Sequence, residues 1–103
     1  EFATYARDHN KQLVIVLIPF KEQVYYDLIH DKITYAHDIT QPNTLIMETC
    51  TALNILCIDT LNDLTLHNTK KLYWDYDNHF TPQGQDTFSL ILEQTLKTHH
   101  IIP

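Results

Sequence analysis

The sequence predicts a small α/β domain built on a parallel β-sheet, and three observations carry that prediction. Two apolar runs, residues 13–18 and 55–58, are continuous rather than alternating, which is typical of strands buried on both faces. Helical patterns lie before, between and after these runs. Strands joined by helical crossovers pair in parallel with right-handed connections. With 103 residues, the chain is long enough for one domain and no more.

The first half of the chain predicts a helix, a strand and a second helix. Residues 2–10 have the pattern of a helix that is ending, and a turn at 9–11 leads into the strand 13–18, which Pro19 stops. A helix is expected over 21–31, followed by a loop over 32–41. The residues expected on the apolar faces of these two helices are Phe2, Tyr5 and Ala6 in the first, and Val24, Tyr25, Leu28 and Ile29 in the second.

The middle of the chain predicts another helix and the second strand. Pro42 suits the first turn of a helix, where its missing N–H does no harm, and Asn54 is expected to end that helix. Asp59, directly after the strand 55–58, is expected to cap a short helix over 60–66. The side chains that the helix from Pro42 is expected to bury are Leu45, Ile46, Cys50 and Leu53.

The last helix has the clearest pattern. Thr81 is the expected N-cap, and Pro82 the first helical residue. Gly84 lies on the apolar stripe, where glycine costs about 1 kcal/mol of helix propensity, so we expect it to permit a close approach of another main chain. The remaining residues of the stripe, at i, i+3, i+4, i+7 and i+8, are Phe88, Ile91, Leu92, Thr95 and Leu96.

Charge and hydropathy exclude two classes of partner. The formal net charge is −6, and Lys70-Lys71 is the longest basic run, so nucleic-acid binding through phosphate neutralisation is not expected. The longest apolar run, 13–18, is far shorter than the roughly 20 residues of a membrane span. Composition does not determine the compartment, and a bacterial extracytoplasmic location is compatible with it.

Two features suggest that the chain is part of a larger domain. It begins within a helical pattern, and Gly84 is its only glycine, although loops usually need several. Cys50 and Cys57 form neither a disulfide framework nor a zinc pattern. Because both lie among apolar residues, we expect them to be small buried hydrophobic side chains.

The loop before the last helix carries the candidate chemistry. Asp77 lies two residues before His79, so its carboxylate can turn back and accept a proton from the ring. Such a contact fixes the tautomer of a histidine and stabilises its protonated form during proton transfer. The alternative is a solvated loop in which the aspartate only caps the main chain.

Neighbouring residues suggest what could surround this pair. Lys21 follows the first strand and is a candidate substrate-binding residue, with a surface ion pair or a solvated helix start as the alternatives. Trp74 and Phe80 could form a substrate wall or pack to hold the loop. Alternation of Asp75, Asp77 and His79 would suit metal ligands on a strand, but Asn78 and Pro82 favour a turn, so no metal or other cofactor is expected.

The spacing His79-x4-Gly84, in a loop that enters a terminal helix, resembles the last motif of the SGNH (GDSL-like) hydrolases. Residues 13–25 resemble the strand-and-turn segment of a bacterial branch of that superfamily, and residues 54–61 resemble its penultimate strand. The similarity covers most of residues 1–98 in the order of the family. It implies a flavodoxin-like three-layer sandwich of which residues 1–103 are the carboxyl-terminal part.

The resemblance implies that His79 is the general base of a Ser-His-Asp triad and that Asp77 orients it. The commoner spacing in the superfamily is Asp-x-x-His, which would need an aspartate at position 76, where this chain has Tyr. The shorter Asp-x-His form also occurs in the superfamily, so Asp77 is the first choice and Asp75 is the reserve candidate. No Gly-Asp-Ser-like motif is present, and Ser89, the only serine, lies inside the last helix without the tight turn of a nucleophile elbow. We therefore expect the nucleophile on a segment that this chain lacks.

The resulting hypothesis is the carboxyl-terminal part of a serine-dependent esterase or acyltransferase, inactive alone, that acts on a small-molecule or carbohydrate ester. Self-association through an exposed sheet edge is also expected. Two alternatives stay open. One is a non-catalytic α/β interaction module, and the other is a metal-dependent phosphoesterase that uses Asp75, Asp77 and His79.

Overall fold

The computed structural model describes residues 1–28 and 39–103 and has helices packed around a short sheet. The expected helix over 21–31 is shorter than predicted, and its residues from Ile29 onward, with most of the 32–41 loop, lie outside the described residues. The elements, in chain order, are α1 (Phe2–Asp8), β1 (Val14–Leu17), α2 (Lys21–Val24), a 3₁₀ turn (Tyr26–Leu28), α3 (Gln41–Ala52), β2 (Leu56–Asp59), α4 (Leu61–Thr65) and α5 (Pro82–Thr98).

The two strands pair in parallel, with Val14 opposite Leu56 and Leu17 opposite Asp59. The predicted α/β class is therefore confirmed, with a sheet of two strands in the part of the chain that the structure describes. The hydroxyl of Thr60 donates to the carbonyl oxygen of Leu17 at 2.7 Å and is fully buried. This bond joins the carboxyl ends of both strands, which is where α/β proteins place functional groups.

The main core lies between α2, α4, α5 and the segment that precedes α5. Val24, Leu64 and Leu72 are completely buried there, and Phe88 and Ile91 of α5 pack against them. The stripe predicted for α5 is confirmed as its least exposed face, with Gly84 and Thr87 buried outright. None of the described helices, of which the 17-residue α5 is the longest, has the length and apolarity needed to cross a membrane.

A second core cluster joins α3 to the sheet and corrects the expectation for the cysteines. Cys50 and Cys57 are buried with Leu17, as predicted, but they form a disulfide instead of two free thiols. Asn54, at φ 56°, ends α3, and the N–H of Ile55 then donates to the carbonyl of Cys50 at 2.9 Å. This Schellman-type reversal brings the Cα atoms of the cysteines to 6.1 Å, within disulfide range.

Several side chains that the sequence placed in the core are exposed instead. Leu45, Ile46 and Leu53 of α3 are 53%, 44% and 62% exposed, so their predicted burial is wrong. They line an apolar groove of about 250 Å³ together with Ile15, Thr49, Cys50 and Ile55. The two strands in the described part of the chain are too few to cover the whole apolar face of α3, and the helix buries only Asn43 and Cys50.

The first two helices also bury less than predicted. Of the expected apolar face of α1, only Ala6 is buried, and Tyr5 stacks on the ring of His9 with centroids 3.9 Å apart. α2 ends at Val24 and continues only as a 3₁₀ turn, which leaves Leu28 exposed. Val24 and Tyr25 pack in the core as expected.

Candidate functional site

The site loop, residues 73–80, is a hairpin-like excursion whose two ends are tied together. Tyr73 and Phe80 form an antiparallel bridge, and the Trp74 N–H donates to the carbonyl of His79 at 3.0 Å. The rings of Tyr73 and Phe80 lie 4.8 Å apart, and Phe80 also meets Phe88 of α5 at 5.3 Å. The base of the loop is thus packed into the core, and its tip carries Asp77 and His79.

Thr81 fixes the loop to α5, as the sequence predicted. Its hydroxyl accepts from the N–H of Gly84 at 3.0 Å and donates to the carbonyl of Lys71 at 2.5 Å, while its own N–H donates to the carbonyl of Leu72. A side chain on Gly84 would overlap the carbonyl of Leu72, so the predicted close approach is confirmed. The first turn of α5 therefore fixes both ends of the site loop, through the bonds of Thr81 to Lys71 and Leu72.

Asp77 and His79 meet inside this loop. One carboxylate oxygen, Oδ1 of Asp77, accepts the main-chain N–H of His79 at 2.8 Å and lies 3.3 Å from Nδ1 of the ring. The bond from the His79 N–H holds the pKa of Asp77 below its usual value, and the charges of a protonated His79 and of Lys21 add to this effect. Asp77 is therefore an ionised acceptor beside Nδ1, and the other ring nitrogen is left to exchange a proton.

The ring of His79 is open to solvent, at 86% exposure, and Asp77 is 52% exposed. Acid–base groups in enzymes gain strength from a site that excludes water. A groove of about 500 Å³ beside the loop is lined by Lys21, Tyr25 and Tyr73, among others, and not by Asp77 or His79. The described residues thus bring a carboxylate and an imidazole together in the open, without walls that enclose them.

The carboxylate of Asp75, the reserve candidate, pairs with a lysine and not with His79. Its Oδ2 lies 3.1 Å from the ammonium of Lys71, four residues before it, and both side chains are largely exposed. Across residues 1–28 and 39–103, no three His, Cys, Asp or Glu side chains come together as a metal-binding group. Asp75, Asp77 and His79 therefore do not converge as the metal-dependent alternative requires.

Lys21, a candidate substrate-binding residue, contacts the loop itself. Its ammonium donates to the carbonyls of Trp74 and Asp75 at 3.1 and 2.8 Å, and its main-chain N–H donates to Oδ1 of Asn78 at 2.7 Å. The contacts of the side chain are thus with main-chain oxygens, in place of the surface ion pair considered as one of its alternatives.

The two aromatic candidates differ in their surroundings. Trp74 is 48% exposed on the loop, where it is accessible to a ligand. Phe80 is half-buried between the rings of Tyr73 and Phe88, so it holds the loop on the core. Burial raises the pKa of the Tyr73 phenol, which therefore stays protonated and donates to the carbonyl of Pro19 at 2.7 Å.

A buried polar chain at the carboxyl edge of the sheet was not found from the sequence. Gln23 donates to Oδ1 of Asn43 at 2.7 Å, and Asn43 donates to Oδ1 of Asp59 at 3.1 Å. Asp59 also accepts the N–H of Leu61, so it supports the start of α4 as predicted, although Thr60 is the N-cap residue. Gln23 also accepts the N–H of the N-cap residue Phe20 at 2.9 Å, which is one half of a capping box. Phenylalanine has no side-chain acceptor for the other half, so the spacing of Gln23 is the only signal that the sequence contains.

Comparison of the chain with protein-family models, with curated proteins and with solved structures finds no match in any of the three.

Proposed function

We propose that this chain is the carboxyl-terminal part of a serine-dependent ester hydrolase or O-acyltransferase of the SGNH type, with a flavodoxin-like three-layer sandwich. In this proposal His79 is the general base, Asp77 orients it, and the serine and the oxyanion hole lie on a segment outside this sequence. The substrate is a small-molecule or carbohydrate ester. The observation that carries the proposal is the contact of Asp77 Oδ1 with Nδ1 of an accessible ring, at 3.3 Å.

The chemistry follows from that contact. The Nε2 atom of His79 takes the proton of the serine hydroxyl as the hydroxyl oxygen attacks the ester carbonyl, and it then returns the proton to the leaving alcohol oxygen. Asp77 holds the Nδ1–H tautomer and stabilises the imidazolium formed between these steps. A second molecule of alcohol or water resolves the acyl-enzyme by the same route, so no cofactor is needed.

The solvent exposure of the His79 ring also supports the proposal that a further segment completes the site. A general base that is 86% exposed has no enclosing walls of its own, and an additional segment that carries the nucleophile would supply them. Ser89 does not fit the role of nucleophile, since it lies in the middle of α5 and on an exposed face.

The test uses the full-length gene product and a chromogenic acetyl ester. His79→Asn is expected to lower kcat/KM at least about 10³-fold, and Asp77→Asn about 10²- to 10⁴-fold. His99→Gln, at the exposed end of α5, is the matched control and is expected to keep full activity. Full activity in His79→Asn would refute the esterase proposal. Hydrolysis of a chromogenic phosphate ester that is lost on chelation would favour the metal-dependent phosphoesterase.

A non-catalytic interaction module is the second candidate, and the apolar groove of α3 favours it. Ile15, Leu45 and Leu53 present uncharged surface beside β1, whose second edge has no partner strand among the described residues. Unpaired strand edges next to apolar surface tend to associate. Under this proposal the chain self-associates or binds a protein partner through the groove, and substitution of His79 has no effect on function.

A further inference from the structure

Lys21 donates hydrogen bonds to both limbs of the site loop. The ammonium donates to two successive carbonyls on the incoming limb, those of Trp74 and Asp75. The main-chain N–H of the same residue donates to the side chain of Asn78 on the outgoing limb. Asp77 lies between these two attachment points in sequence, and His79 directly follows the second. All three bonds span more than 50 residues of sequence, so they fix the loop against a distant part of the fold.

The main chain around Lys21 is held by hydrogen bonds to the core. Lys21 is the first residue of α2, which is the element that follows β1. The carbonyl of Pro19 accepts from the buried Tyr73 hydroxyl at 2.7 Å, and the N–H of Phe20 donates to Gln23 at 2.9 Å. Gln23 is the first member of the buried polar chain that reaches β2. Lys21 therefore links the site loop to a segment that is itself fixed to the sheet.

The tip of the loop has few other restraints. Its internal bonds are those of Trp74 with His79 and of Asp77 with the His79 N–H. Outside the contacts of Lys21, the side chain of Asp75 pairs with Lys71 at the surface, and the side chains of Tyr76 and His79 are exposed. Hydrogen bonds from a charged donor are stronger than neutral ones. The ammonium of Lys21 makes two such bonds to main-chain oxygens of the limb that leads into Asp77. The other charged contact on this limb, between Lys71 and Asp75, joins two largely exposed side chains and does not hold the main chain.

We infer that Lys21 is a positioning residue for the Asp77–His79 pair. It acts by holding the loop in the arrangement in which the carboxylate meets the ring, and it differs in this from the substrate-binding role expected from the sequence. The structural part of this inference stands on the contacts alone, whereas its meaning for catalysis rests on the proposed function.

The experiment compares Lys21→Met with Lys70→Met in the present chain. Methionine keeps the aliphatic stem and the main-chain N–H but removes the ammonium, and exposed Lys70 lines the same groove and serves as the matched control. Hydrogen exchange of the Trp74 and His79 amides is expected to accelerate about tenfold in Lys21→Met only. The Thr81 amide, which is bonded to Leu72 at the base of the loop, is expected to keep its rate. Lys21→Arg is expected to restore most of the protection.

Equal exchange at Trp74 and His79 in both Met variants would overturn the inference, as would acceleration that includes Thr81 and reports general unfolding. In the full-length protein, Lys21→Met is expected to lower kcat about tenfold or more with little change in KM, and a rise in KM alone would return Lys21 to substrate binding. If His79→Asn is fully active, the esterase proposal fails, while the exchange result still decides whether Lys21 holds the loop.

Discussion

Gly84, in the first turn of α5, lies directly against the main-chain carbonyl of Leu72. The contact lets the N–H of Gly84 reach the Thr81 hydroxyl while the N–H of Thr81 reaches the Leu72 oxygen. The glycine does not have a positive φ, so its role is space and not backbone freedom. This contact sets the distance between the site loop and the last helix.

Replacing Gly84 with alanine is expected to destabilise the protein by about 2 kcal/mol or more. Alanine gains about 1 kcal/mol of helix propensity, but its methyl group would overlap backbone atoms that cannot move without breaking the Thr81 cap. Urea unfolding measures the effect. Ser89→Ala, on the exposed face of the same helix, is the control and is expected to change the free energy of unfolding by less than about 0.5 kcal/mol. A Gly84→Ala variant as stable as the parent would contradict the packing described.

Removal of the disulfide is expected to lower the free energy of unfolding by about 2–3 kcal/mol, as the chain-entropy relation gives for a loop this short. Cys50 and Cys57 are seven residues apart, and the bridge joins the end of α3 to β2. The measurement is denaturant unfolding of Cys50→Ala/Cys57→Ala against the oxidised parent. Thiol titration of the unreduced, denatured protein should find no free thiol, and two free thiols would show that the bridge does not form.

The site loop is expected to loosen in acid. Because the pKa of folded Asp77 is below its unfolded value, the ionised carboxylate stabilises the loop at pH values above the usual carboxyl range, near about 4. That stabilisation is lost as the pH falls through the lowered pKa. The amide signal of His79, recorded from pH 7 to pH 2, should report the release of its bond to Asp77. Asp77→Asn should abolish this transition, and an unchanged titration in that variant would assign it to another group.

Self-association, if it uses the apolar groove and the free edge of β1, is expected to respond to a charge placed there. Sedimentation velocity should show a concentration-dependent dimer for the parent and a monomer for Ile15→Lys, because a lysine on an edge strand blocks pairing. Leu66→Lys, at an exposed residue that does not line the groove, is the control and should leave the dimer intact. A parent chain that stays monomeric at all concentrations would rule out this mode of association.

Local signals predicted most of what positions the site. The N-cap at Thr81, the proline after it and the tightly packed glycine lie within four residues of one another, so short-range chemistry was enough to place the start of α5. The Asp77–His79 contact was equally local. The alternating order of strands and helices predicted the parallel pairing of β1 with β2.

The rest depended on contacts between distant parts of the chain. Periodicity identified the apolar face of α3, but it does not indicate whether enough sheet lies beneath that face, and Leu45, Ile46 and Leu53 remained exposed. The disulfide forms because the chain reverses at Asn54 and brings the two cysteines together. The spacing of the cysteines alone does not predict this approach. Lys21 and Asn78 are 57 residues apart, and their bond follows only from the fold.

Asp77 is expected to hold a proton on Nδ1 of His79, which would leave Nε2 as the base of the proposed reaction. Long-range ¹⁵N–¹H correlation of the histidine rings at pH 8 measures the tautomer directly in this chain. We expect His79 to carry its proton on Nδ1 in the parent and on Nε2 in Asp77→Asn. An Nε2–H tautomer in the parent, unchanged by Asp77→Asn, would contradict it.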